Sequence, residues 1–245
     1  MEKRRDSATA YIILADGFET IEALTPLDVL RRCGVEVTTI SLNQTRAVRS
    51  SHGVTVEADA TMEEFMHNCN CCASAIGTGT NSSIAGSSSS ASSTGTSTTG
   101  SRSTTAGNAG TSSSAGSSTT ASSAVRQALI LPGGYPGYKN LCESAEVGAL
   151  ITQFHKEGKL LCAICGAPTA LKANQICRGA AITCHTSVKE ELSDYYSILS
   201  SAVVKYMNII TGMGAGRSLD FAFAIAESLT SKEKVEEIKA KMEII

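Results

Sequence analysis

The chain has 245 residues, with 23 acidic against 21 basic side chains for a formal net charge of −2, nine cysteines and no tryptophan. Scattered, near-balanced charge gives no electrostatic footprint for nucleic acid or an anionic membrane, and no apolar run reaches the length of a signal-peptide core or a bilayer span. An odd number of irregularly spaced cysteines argues against a disulfide framework, so a reduced, cytoplasmic protein is expected.

In chain order, "YIILADG" is a short apolar run ending at a glycine and predicts a first strand. "PLDVLRRCG" predicts a compact helix with Thr25 as its cap, Pro26 at its first position and Gly34 just past its end. "VEVTTISL" predicts the next strand, and strand, helix, strand with short connections is the pattern of a parallel βαβ unit. "TMEEFMHN" reads as helical. After it, "CNCC" (Cys69, Cys71, Cys72) invites a metal reading, but nothing at a suitable spacing completes four ligands, and no metal is expected.

From 77 to 124 every residue except Asn81, Ile84, Arg102 and Asn108 is Ser, Thr, Gly or Ala. So little apolar area does not offset the roughly 1–2 kcal/mol per residue that backbone ordering costs. A single domain over 1–245 is therefore expected, interrupted by a disordered insertion at about 74–124 that leaves the sheet as a surface excursion. The pattern resumes with "ALILPGG", the helical "AEVGALITQFHKEG", the strand "KLLCAIC" and the helix "GAPTALKANQI". Strand candidates "GAAITCH" and "NIITGMG" then precede the helical "SLDFAFAIAESL", and Thr230 with Glu233 predicts a capping box for a last charged helix. These elements define an open α/β sandwich with a mostly parallel central sheet.

In such sheets, sites gather where strands end and helices begin. Cys165 stands at such a junction among the small residues Ala163, Gly166 and Ala167, which is what a nucleophile on a tight strand-to-helix turn requires. The following helix would point its positive end at the sulfur and lower the thiol pKa; a buried structural cysteine is the competing reading. Cys162 and Cys165 form a C-x-x-C, but Cys162 lies inside the strand, so the two thiols are expected on different faces. "LPGGYPG" offers backbone amides for an anion-stabilising pocket, Glu19 and Glu22 supply carboxyls after the first strand, and His185 is a candidate proton shuttle at another strand end.

The segments "ADGFETIEALTPLDVLRRCGVEVT", "LILPGGYPGYKNL", "AICGAPTAL" and "DFAFAIAESL", in that order, resemble the ThiJ/PfpI superfamily in its deglycase, ThiJ and YajL branch. The resemblance implies a flavodoxin-like, class I glutamine-amidotransferase-like sandwich, a homodimer, and a readily oxidised elbow cysteine at Cys165. It also implies a protonated acid at Glu22, a nearby histidine at His185, and oxyanion amides at Gly133, Gly134 and Gly166, while Glu19 is an accessory candidate from its place after the first strand. No cofactor is implied. The partner would be a small aldehyde substrate, such as methylglyoxal or glyoxal, or a glycated adduct, consumed by a glyoxalase III or deglycase reaction. The other implied role is a stress-protective redox sensor in which Cys165 becomes a sulfinate. Three positions depart from the pattern. His52 stands where the relatives often carry an arginine near the dimer interface, and Met213 and Arg217 replace residues that are commonly Arg and Thr or Ser beside the pocket. Gly166 occupies the place of the protease branch's histidine, which speaks against peptidase activity.

Overall fold

The computed structural model describes residues 8–68 and 126–244. These all fall in one compact unit, comprising 1–76 and 123–245. The "CNCC" cysteines and the small-residue tract lie outside the described residues.

The N-terminal part runs β1 (Thr9–Leu14), α1 (Thr20–Arg32), β2 (Glu36–Ser41), β3 (Ala47–Arg49), β4 (Thr55–Glu57), β5 (Ala60–Thr61) and α2 (Met62–Asn68). After the tract come β6 (Gln127–Leu131), α3 (Gly137–Glu143), α4 (Ala145–Lys156), β7 (Leu160–Ile164), α5 (Pro168–Ala173) and β8 (Ala181–Ile182). The chain closes with α6 (Lys189–Leu192), β9 (Ser197–Ile198), β10 (Val203–Tyr206), β11 (Ile209–Gly212), α7 (Ser218–Leu229) and α8 (Lys232–Lys241).

Seven strands form the central sheet in the order β10-β11-β7-β6-β1-β2-β5. Every neighbouring pair is parallel except β10 with β11. Side chains alternate across each strand, so one sequence serves two cores. Ala10, Ile12 and Leu14 of β1, Ala128 and Ile130 of β6, and Cys162 and Ile164 of β7 pack under α1, α7 and α8. Ile13, Leu129, Leu131, Leu161 and Ala163 face the opposite way, against α2, α3, α4 and α5. Strands buried on both faces read as the continuous apolar runs seen in the sequence.

The structure corrects three local expectations. Helix α1 starts at Thr20, not after Thr25, and Pro26 lies inside it. Pro26 has no N–H to give the Glu22 carbonyl, but tertiary contacts override that loss: the backbone N–H of Glu19 is already held by Gly133 O at 2.9 Å and Ala23 N–H by Glu19 O at 3.2 Å. The consequence is that Glu22 sits on the first turn of a helix. At the other end of the chain, Ser231 rather than Thr230 caps α8, accepting from Lys234 N–H, while the Thr230 hydroxyl turns back to Ala226 O. The "GAAITCH" strand is only β8, which pairs with β9 outside the central sheet. The β3–β4 hairpin, α3 and β10 carry no sequence signal strong enough to have been anticipated.

Candidate active site

Strands β1, β6 and β7 are neighbours, and β1 is where the strand order reverses, with β2 on one side and β6 on the other. Parallel α/β sheets open a crevice at such a point, beyond the carboxyl ends of the strands. The segments that follow those three strands carry the site: Glu22 on the first turn of α1, and Gly133 and Cys165 in the turns after β6 and β7.

Cys165 adopts φ 63°, left-handed backbone that a non-glycine residue rarely takes, at a cost of about 1–3 kcal/mol. The turn is pinned from both sides: Cys165 N–H donates to Gly212 O at 3.0 Å and Cys165 O accepts from His185 N–H at 2.9 Å. The side chain is half-buried, whereas Glu22 is fully buried.

Three glycines make room for this pair. A Cβ on Gly133 would lie 2.6 Å from Glu22 Oε2, 2.6 Å from Cys165 Cβ and 3.1 Å from Cys165 Sγ. One on Gly166 would strike the Tyr138 ring at 2.6 Å, and Gly134, at φ 88°, passes so close to the start of α1 that a Cβ would meet Glu19 N at 2.3 Å. Gly133→Ala is therefore expected to cost about 1–3 kcal/mol of stability, read by urea denaturation, and to displace the thiol from the carboxyl. Unchanged stability and unchanged Cys165 reactivity in this variant would show that the close approach is not needed.

Gly133 also requires a correction. Its N–H is not free for an oxyanion, because it donates to Glu22 Oε2 at 2.9 Å in a buried setting. Gly133 holds the acid. The amides that act on the Cys165 sulfur are those of Gly134 and Gly166. Among the described residues Glu22 Oε1 is buried without a hydrogen-bond partner, which leaves it available beside the sulfur.

Burial pushes the Glu22 carboxyl up from 4.5 to about 7, against the Gly133 N–H and the Cys165 thiol, which favour its charge, and with a small repulsion from Glu19. Burial also pushes the Cys165 thiol up, to about 12, and the adjacent Glu22 charge adds to the rise despite the Gly134 and Gly166 amides. This reverses the expectation of a thiol depressed by a helix end: α5 is only six residues long, and desolvation outweighs it. The pair rests as a thiol beside a carboxyl that titrates near neutrality.

Glu19 caps α1 through its backbone, and its Oε2 accepts from the Ser51 hydroxyl at 3.1 Å and lies 3.3 Å from Nδ1 of the exposed His52. The Ser51–His52 contact was missed in the sequence, since only the β3–β4 hairpin brings it to α1. His185 is brought to the elbow by its backbone, while its exposed ring caps the turn at Thr186–Val188, Nδ1 accepting from Ser187 N–H at 3.2 Å. Met213 is half-buried and Arg217 is exposed, within 3.6 Å of Asp220. Cys162 is fully buried and borders the same apolar layer as Cys165 instead of the opposite face; both thiols are free. Among the described residues there is no group of three or more side chains suited to a metal and no helix long and apolar enough to cross a membrane.

A doubly wound sandwich with a cysteine on a left-handed elbow and a buried glutamic acid against it defines a class of cysteine-centred α/β proteins. The DJ-1/PfpI family profile matches residues 8–77 and 84–228, and the chain belongs to that family. Protein dj-1beta of Drosophila melanogaster is 30% identical over 95% of both chains, and the Parkinson disease protein 7 homolog of Danio rerio is 28% identical over 95% of both. The crystal structure of Drosophila DJ-1beta superposes with a TM-score of 0.72 at 28% identity, covering 98% of this chain and 99% of that one. Glutathione-independent glyoxalase DJR-1.2 of Caenorhabditis elegans is 38% identical over 107 residues, which is 43% of this chain and 56% of that protein.

Proposed function

We propose that the protein is a cofactor-free, cysteine-dependent glyoxalase acting on small α-oxoaldehydes. The observation that carries this reading is the buried Glu22 carboxyl, tuned to about 7 and set against the Cys165 thiol. A group with that pKa suits proton transfer in both directions at neutral pH. The partial likeness to a worm protein named as a glutathione-independent glyoxalase supports the same chemistry.

In this scheme Cys165 Sγ attacks the aldehyde carbon of methylglyoxal while its proton passes to the Glu22 carboxylate, giving a hemithioacetal. The Gly134 and Gly166 amides, which already point at the sulfur, stabilise the developing oxyanion. Glu22, having passed its proton to that oxygen, then removes the hydrogen from C1 and returns it to C2 through an enediol. The product is a lactoyl thioester on Cys165. Water cleaves it to lactate and restores the thiol, so the sum is methylglyoxal plus water to lactate, with the oxidation at C1 matched by reduction at C2.

The deciding assay follows methylglyoxal loss and lactate formation by the purified chain without glutathione. No lactate above the uncatalysed background would refute the proposal. His185 is assigned a lesser part, because its ring is engaged with Ser187 and exposed. His185→Gln is expected to lower kcat only about tenfold, well short of the effect at Glu22. A loss as large as that of Glu22→Gln would make His185 the principal base.

A further inference from the structure

We propose that Cys177 and His155 form a second thiol site, at the end of α5 away from Cys165, that exchanges with small anionic disulfides. His155 lies on the last turn of α4 and Cys177 follows α5, and the packing of these helices brings Sγ to 3.7 Å from Nε2. Cys177 is half-buried and held at φ 46°, so its side chain is fixed by a backbone turn and not by a helix. The second imidazole nitrogen, Nδ1, is buried and has no partner among the described residues. Among the described residues the sulfur is thus the ring's one polar contact, and no carboxylate there competes for its proton.

Burial raises the Cys177 thiol above its ordinary pKa, so at neutral pH the sulfur rests protonated and must give its proton to a base as it attacks, the thiolate being the nucleophile. His155 Nε2 is placed to be that base. The surroundings choose the reagent. Arg178, over the Tyr195 ring at 5.6 Å and near enough to Asp194 to help lower that carboxyl's pKa, and Lys156, which follows His155 in sequence, are exposed cations, and neither lies within salt-bridge distance of an acid among the described residues. They favour a disulfide carrying carboxylates.

In the exchange, Cys177 Sγ bonds to one sulfur of the reagent, the reagent's S–S bond breaks, and the S–H proton moves to His155 Nε2 and then to the departing thiolate. Cys177 is oxidised to a mixed disulfide and the departing sulfur is reduced to a thiol. No other oxidant is needed. Neither Cys165 nor aldehyde turnover takes part.

Cys142 provides an internal control, since it is also half-buried and its thiol is also raised chiefly by burial, with Glu191 adding to the rise and Thr169 opposing it, and no imidazole among the described residues contacts it. The test treats the full chain with 5,5′-dithiobis(2-nitrobenzoate) at pH 7 and measures modification of each cysteine by peptide mass spectrometry. Cys177 is expected to react about tenfold faster than Cys142, and His155→Gln to remove that advantage while leaving Cys142 unchanged. Raising salt should slow Cys177 with this dianionic reagent but not with neutral 2,2′-dithiodipyridine. A Cys177 rate no greater than that of Cys142 in the unaltered chain would overturn the proposal however the variant folds, as would an unchanged Cys177 rate in a folded His155→Gln protein.

Discussion

Replacing Cys165 with serine is expected to lower glutathione-independent lactate formation from methylglyoxal by at least about a thousandfold, because among the described residues no other thiol stands beside Glu22 to take the covalent step. Cys162 cannot substitute: it is fully buried within the layer under α1 and α7. Cys184 lies one residue from His185 but is itself buried. Folding should survive the change, since serine is similar in size and the elbow is pinned by backbone bonds to Gly212 and His185 that the side chain does not make. Urea denaturation of Cys165→Ser would check that. A variant that folds normally and keeps more than a tenth of the parent rate would remove the thiol from the reaction.

The second large effect is expected at Glu22, and it appears in two measurements that move in opposite directions. Glu22→Gln preserves shape and can still accept the Gly133 N–H, but it can neither take nor return a proton. The expected fall in kcat is about 10²–10⁴-fold, with loss of the limb of the pH–rate profile that rises through about 7 in the parent. Stability should change the other way. A carboxyl whose folded pKa is raised binds its proton more tightly in the folded state than in the unfolded one. Its charging therefore costs stability as pH rises from about 4.5 to about 7, and the cost is constant above that. With a rise of that size the penalty is about 3 kcal/mol at pH 8. Glu22→Gln is thus expected to be more stable than the parent at pH 8 and close to it at pH 4, by denaturant unfolding at the two pH values. A stability difference independent of pH would mean that Glu22 is not desolvated in the folded protein.

Much of this arrangement was legible in the sequence because it depends on local rules. Continuous apolar runs in "YIILADG", "ALILPGG" and "KLLCAIC" specify strands buried on both faces, and the small residues around Cys165 point to a tight turn, where the structure has Cys165 at φ 63°. The details that escaped are those set by residues distant in sequence. Helix α1 begins early because Gly133, more than a hundred positions away, supplies an acceptor for the Glu19 N–H. Gly133 was assigned to an oxyanion pocket because a glycine pair suggests free amides, yet one of those amides is spent on Glu22. The direction of the Cys165 pKa was misjudged for the same reason: a helix end is visible in sequence, but the amount of water excluded from a thiol is not.

Carbon-13 labelling of glutamate side chains, with the Glu22 carboxyl assigned by its absence in Glu22→Gln and followed by NMR from pH 3 to 9, tests the central claim most directly. One carboxyl is expected to titrate near 7, apart from the rest, and to shift when Cys165 is replaced by serine. A Glu22 resonance that titrates at its ordinary value of 4.5, indifferent to Cys165, would contradict the buried carboxyl–thiol pair on which the proposed chemistry rests.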